Sequence, residues 1–326
     1  MAGTFAHFLA VEQLCRDNEQ LDTIASLTPA MKRALMTQTH FCRLGAISPD
    51  LPYLSVASSE AECWGNLFHH WNTAQIVRDA IPLVYKMNYG TKDAQRCIAW
   101  LFGYVAHLVA DLTVHPVVNT CVGPYAQNKA AHRECEMHQD SAIFRQINRE
   151  EIVTCPNLIE QTGLIACARD SAGKKLHAEV KAMLEHCLLK MPRHGQILEN
   201  GKKAPSCKPD IDGWFKAYIS MMRLASRGRE NNLWLTRLID SATPILYPSS
   251  AKLKAKYIER LACPDGKHRD YARLFKRVVR NIATVWQSLG DALDSGDPAR
   301  FLLANGNLDS GLKDNTSEMM FWRNKK

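Results

Sequence analysis

The chain has 326 residues, of which 46% are apolar and 23% charged, a composition that excludes a disordered or fibrous protein and suffices for a sizeable folded core. Its net charge of +8 is uneven: residues 1–150 hold 12 Lys/Arg against 14 Asp/Glu, and the remainder holds 29 against 19. The basic excess thus falls in the second half, as a solvated face or as an attraction for anionic membranes or nucleic acid.

The first residues lack the basic segment and apolar run of a secretory signal. No stretch supplies the roughly 18 uninterrupted apolar residues of a spanning helix, since the longest, Cys97 to Val118, is broken by His107, Asp111 and His115. The eleven cysteines are scattered, odd in number and without a CxxC pair. Together these features lead us to expect a cytoplasmic protein with reduced, mostly buried thiols.

In chain order, helical periodicity dominates and convincing strands are almost absent, which gives an all-α fold expected as one domain over residues 1–326. Helices are expected over Gly3–Leu14 and Pro29–Leu35. Pro49 and Pro52 then bracket Asp50 and place it on a loop. A helix over Thr73–Lys86 ends at Asn88-Tyr-Gly90, and Thr91 is the expected N-cap of a long apolar helix reaching His115, which Pro116 should end or kink. Further helices are expected over Lys129–Asn148, Ser171–Leu189, Ile211–Ala225, Asn231–Ile239, Ser250–Leu261 and Asp270–Leu293. Residues 1–150 form the core that carries the candidate site, and 151–304 a helical remainder with a long loop near 191–210. Residues 305–326 are either a loose tail or a segment docking its last apolar residues.

Eight of the twelve histidines lie before residue 140. His107, Asp111 and His115 are spaced four and four, which puts all three on nearly one face of a helix. Their apolar surroundings make an uncompensated Asp111 carboxylate strongly unfavourable. His132 and Glu136 repeat the spacing on the next helix, with Asp140 one turn further. One histidine on an apolar helix is usually a satisfied core residue, and a His/Glu pair at i, i+4 usually an exposed helix pair. Five such side chains on two neighbouring helices favour a metal site, and their types are those zinc accepts.

The run His107-Leu-Val-Ala-Asp111-Leu-Thr-Val-His115-Pro, with His132-x-x-x-Glu136, Leu44-Gly-Ala-Ile-Ser-Pro-Asp50 and Phe68-His69-His70-Trp71, resembles the zinc-dependent phospholipases C. That group includes bacterial enzymes and the catalytic domain of glycosylphosphatidylinositol-specific phospholipase D. The resemblance covers about residues 1–145, and nothing is recognised from Glu150 onward. It implies two or three zinc ions: one on His69, His107 and Asp111, one on His115, His132 and Glu136, and a third sharing Asp111 and taking His7. Asp50, beside the first zinc, would orient or deprotonate the attacking water. His69 is favoured over His70 because the family's ligand follows an apolar residue; His40 and His138 are read as structural.

Two departures accompany it. The secreted bacterial members begin with a tryptophan whose amine and carbonyl chelate the third zinc, whereas this chain begins Met-Ala-Gly. The Asp111-to-His115 spacing matches the phospholipase D branch better than the bacterial one. The implied activity is phospholipase C-like cleavage of a phospholipid or related phosphodiester, with peripheral membrane contact through the basic half. The alternatives are an S1/P1-type nuclease or nucleotidase on the same scaffold, and a non-catalytic helical protein stabilised by zinc.

Overall fold

The computed structural model describes residues 3–322 apart from 17, 56–57, 153, 156–161, 193–196, 198–200, 202 and 228–246. The fold is all-α. In chain order the helices are α1 Thr4–Cys15, α2 Asn18–Asp22, α3 Pro29–Thr37, α4 Thr39–Gly45, α5 Ser59–His70, α6 Gln75–Tyr85, α7 Lys92–Val122, α8 Tyr125–Asn148, α9 Ala178–Leu188, α10 Ile211–Arg227, α11 Ala255–Ile258 and α12 Tyr271–Ser295. A 3-10 helix, Ser48–Leu54, joins α4 to α5. The strands β1 Leu261–Ala262 and β2 His268–Arg269 form one short antiparallel pair.

The molecule is organised around α7. Thr91 caps it as expected, its hydroxyl accepting from the Ala94 amide, and the helix ends at Gly123 with φ 85°. By length and composition α7 could cross a membrane, but its apolar stretch is entirely buried inside the protein. Of the two outcomes expected at Pro116, an end or a kink, the first does not occur, and the helix runs on for six residues. Pro116 deprives the Leu112 carbonyl of its helical donor, and the C-terminal segment packs Gly311 into that notch, against Leu112 O and the Pro116 ring. The break is thus covered by protein.

Helix α4 crosses α7 at van der Waals backbone contact. A methyl group on Gly103 would overlap the Cys42 carbonyl, and one on Gly45 the Trp100 carbonyl. This approach carries the Ala46 carbonyl to His107. Helix α12 covers the other side, its Trp286 indole donating to Phe102 O at 2.9 Å. Helix α1 is held at its start by Asp140, whose carboxylate accepts from the Phe5 and Ala6 amides at 3.0 and 2.8 Å. These are first-turn donors that no intrahelical partner can satisfy.

Several sequence expectations are corrected. Asp50 sits in the 3-10 helix rather than a loop: Pro49 occupies its first turn, where a missing N–H costs nothing. Helices α2, α4 and α5 were not foreseen, although Ser58 caps α5 by accepting from the Ala61 amide and Glu60 and Glu62 follow in its first turn. The expected helix over Ser171–Leu189 shortens to Ala178–Leu188. Asp170 instead accepts from the Lys174 and Lys175 amides and stabilises a turn through Gly173 at φ 67°. Ser250–Leu261 divides into a 3-10 turn and α11, ended by Arg260 at φ 46°. The expected helix Asn231–Ile239 lies outside the described residues. Residues 305–322 are no loose tail: Trp322 is buried and donates its indole N–H to Thr113 O on α7 at 3.0 Å.

Candidate metal centre

Three segments ahead of α7 and two long helices deliver their polar side chains to one buried volume. Helix α1 contributes His7, the 3-10 helix Asp50, α5 His69, α7 His107, Asp111 and His115, and α8 His132 and Glu136. All eight are buried. Asp111 is the hub: its Oδ1 lies 3.3 Å from His7 Nε2 and 3.6 Å from His115 Nε2, its Oδ2 3.3 Å from His107 Nε2 and 3.9 Å from His69 Nε2. Asp50 Oδ1 is 3.1 Å from His69 Nε2 and 3.8 Å from His107 Nε2. Glu136 Oε1 stands 3.7 Å from His115 Nε2. His7 stacks on His107 with ring centroids 4.3 Å apart.

Backbone carbonyls fix the histidine tautomers. His69, His107 and His115 donate from Nδ1 to Gly65 O, Ala46 O and Leu308 O at 2.8–2.9 Å. Each then turns its Nε2 toward the carboxylates. His132 is held the other way round, donating from Nε2 to Gly123 O at 2.7 Å. The Nε2 atoms of His107 and His115, both nitrogens of His7 and Nδ1 of His132 are buried with no hydrogen-bond partner. Buried imidazole nitrogens with their other nitrogen tied to a carbonyl are the arrangement of metal-ligating histidines.

The electrostatics agree. Burial alone would raise the Asp111 carboxyl, but the fields of His115 and His107 outweigh it and hold that group well below the usual range. Asp50 is likewise lowered against its burial by His107 and His69. His107 is raised against burial by Asp111 and Asp50. Burial lowers His7 and His132, and takes His115 down to about 4. Glu136, less well compensated, is pushed by burial up to about 8. The donor atoms of His7, His107 and Asp111, and those of Asp50, His69 and His107, converge closely enough for each trio to hold one metal ion. His132 is less engaged: among the described residues no carboxylate lies within ion-pair reach of its ring.

Residues 6–187 match the model of the zinc-dependent phospholipase C family. The chain belongs to that family. Comparisons with curated proteins and with solved structures returned no match. Zinc is the metal the family uses, and the buried, partner-free imidazole nitrogens beside Asp111 fit it.

Sequence spacing missed what the C-terminal segment does here. Leu308 N donates to His69 O and Leu308 O accepts from His115, so one residue braces two of the clustered histidines. Asp309 pairs through Oδ2 with His70 Nε2 at 3.3 Å. His69 therefore faces the cluster while its neighbour faces Asp309. No signal within Asn305–Gly311 announces this role, because it is exerted mostly by backbone groups about 190 to 240 residues from the helices they touch. Asp140, one turn beyond Glu136, caps α1 and so does not join the cluster. His138 is structural, accepting from the Lys254 amide.

Proposed function

We propose that this chain is a zinc-dependent phosphodiester hydrolase that cleaves a phospholipid or related phosphodiester in the manner of a phospholipase C. One observation carries the reading: four buried histidines from three helices are each pinned at one ring nitrogen by a backbone carbonyl and turn the other toward or beside Asp50, Asp111 and Glu136. In this reading His69, His107 and Asp111 hold one zinc, His115, His132 and Glu136 a second, and His7 with Asp111 a third. Bound zinc would lower the pKa of water and neutralise charge growing on the phosphoryl oxygens.

The protein's own groups do the rest. Asp50, held ionised between His69 and His107, orients the attacking water and accepts its proton on a carboxylate oxygen. The carbonyls of Gly65, Ala46 and Leu308 keep the imidazoles from turning, so the donor set is organised before substrate arrives. A phospholipid lies in a bilayer, and contact with its surface through the basic second half is part of the proposal. The same basic excess supports a second reading, a nuclease or nucleotidase using this centre.

The deciding experiment measures zinc per chain and turnover of a generic phosphodiester, before and after His107→Ala. Two or three zinc ions in the parent, with zinc and turnover both lost in the variant, are the expected result. A parent without zinc, or a variant unchanged in both, would refute the proposal. Zinc without turnover would point to a purely structural cluster. Comparing labelled phosphatidylcholine with single-stranded DNA as substrate separates lipase from nuclease.

A further inference from the structure

A cavity of about 660 Å³ opens between α1, α8 and α12, away from the metal centre. It begins at Ile143, seven residues along α8 from Glu136, roughly 10 Å of helix. Its volume falls in the range of small-molecule sites. Five cationic side chains line it, Arg269, Arg273, Lys276, Arg277 and Arg280, and among the described residues no carboxylate does.

These cations fall into two groups. Arg269 is engaged by a two-point pair with Asp265. Arg277 donates to Phe321 O at 2.7 Å and lies over the Trp322 ring. Arg273, Lys276 and Arg280 are exposed and have no ion-pair partner among the described residues. With Arg277 they occupy i, i+3, i+4 and i+7 of α12, one face of one helix, where like charges repel. A helix face with three cations that have no ion-pair partner among the described residues attracts an anion from outside.

The floor identifies the anion's chemistry. Between the cations run the half-buried Ile147, Val279 and Ala272, with Ile143 and Phe275 beneath them. A free phosphate would leave this apolar strip unused. A single-stranded nucleic acid would need aromatic faces for its bases, and the one aromatic ring lining the cavity among the described residues, Phe275, is buried.

We propose that this groove binds an anionic lipid at a membrane surface, its phosphate held by Arg273, Lys276 and Arg280 and an acyl chain lying along Ile147, Val279 and Ala272. The site is separate from the metal centre and would seat the protein on anionic bilayers independently of turnover. It gives the peripheral contact suggested above a defined location.

The test is sedimentation of the full chain with vesicles of phosphatidylcholine alone and of phosphatidylcholine with phosphatidylserine. Turnover of a water-soluble phosphodiester is measured in parallel. The anionic vesicles should bind at least tenfold more tightly. The triple variant Arg273→Glu, Lys276→Glu, Arg280→Glu should lose that tenfold while keeping its melting temperature and its soluble turnover within twofold. Val279→Asn should weaken the binding that survives at high salt, where head-group attraction is screened. Equal vesicle binding by the triple variant overturns the proposal. So does displacement by inorganic phosphate or by a single-stranded oligonucleotide at concentrations matching the lipid's, which would mark a site for a soluble anion. Absence of soluble turnover in the parent would count against the hydrolase reading and leave the lipid site standing.

Discussion

Burial alone would raise the carboxyl of a residue as deep as Asp111; here the neighbouring His115 and His107 hold it well below the usual range. Its neighbour Glu136 is less well compensated, and burial pushes it up to about 8. The sign of the consequence follows. Between about pH 4 and pH 8 the metal-free protein carries a proton on Glu136 that zinc must displace, whereas His115, taken down to about 4, carries none there. Zinc affinity should therefore climb with pH, by about tenfold per pH unit for each proton displaced from Glu136 and from the raised His107, and level off above about 8. Calorimetric zinc titrations across this range check it, and Glu136→Gln should flatten the slope. Asp50 has a different task. Asp50→Asn should lower turnover by about 10²–10⁴-fold, the usual contribution of a positioned base, in single-turnover assays of zinc-loaded protein. Retention of full activity would remove Asp50 from the chemistry.

At the scale of elements, the centre depends on how closely α4 can approach α7. The four-residue spacing of His107, Asp111 and His115 made their common face legible from sequence, because helical geometry alone determines it. Which carbonyl would orient His107 was not legible, because Ala46 caps the end of another helix, α4, and reaches the ring only through the glycine contacts at positions 45 and 103. Gly103→Val should destabilise the fold by about 1–3 kcal/mol through overpacking and lower zinc occupancy in the same protein. Chemical unfolding and metal analysis together read both effects. A variant as stable as the parent would show that the crossing has room to spare. Asp50 makes the complementary point: its flanking prolines correctly excluded an α-helix, yet Pro49 suits the first turn of a 3-10 helix, a distinction finer than the sequence signal.

At the scale of the molecule, the first and last parts of the chain meet across α7. Family resemblance ends by residue 187, but Leu308, beyond it, braces His69 and His115. Gly311 sits at φ 74° where any side chain would meet Pro116. Gly311→Val should displace this segment, loosen His115 and reduce bound zinc, with helical content by far-ultraviolet circular dichroism nearly unchanged. Full zinc occupancy in that variant would show the brace to be dispensable.

The sequence by itself determined the helical class, the capped start of α7 and the shared face of its three polar residues, since periodicity and capping act within a few residues. Motif resemblance added the family, and with it zinc. Only the tertiary structure decided that α7 continues past Pro116, that Asp140 caps α1, and that the C-terminal segment closes over the histidines. Those outcomes rest on backbone groups satisfied across long separations in sequence, and a buried polar group takes whichever partner the packing brings within reach.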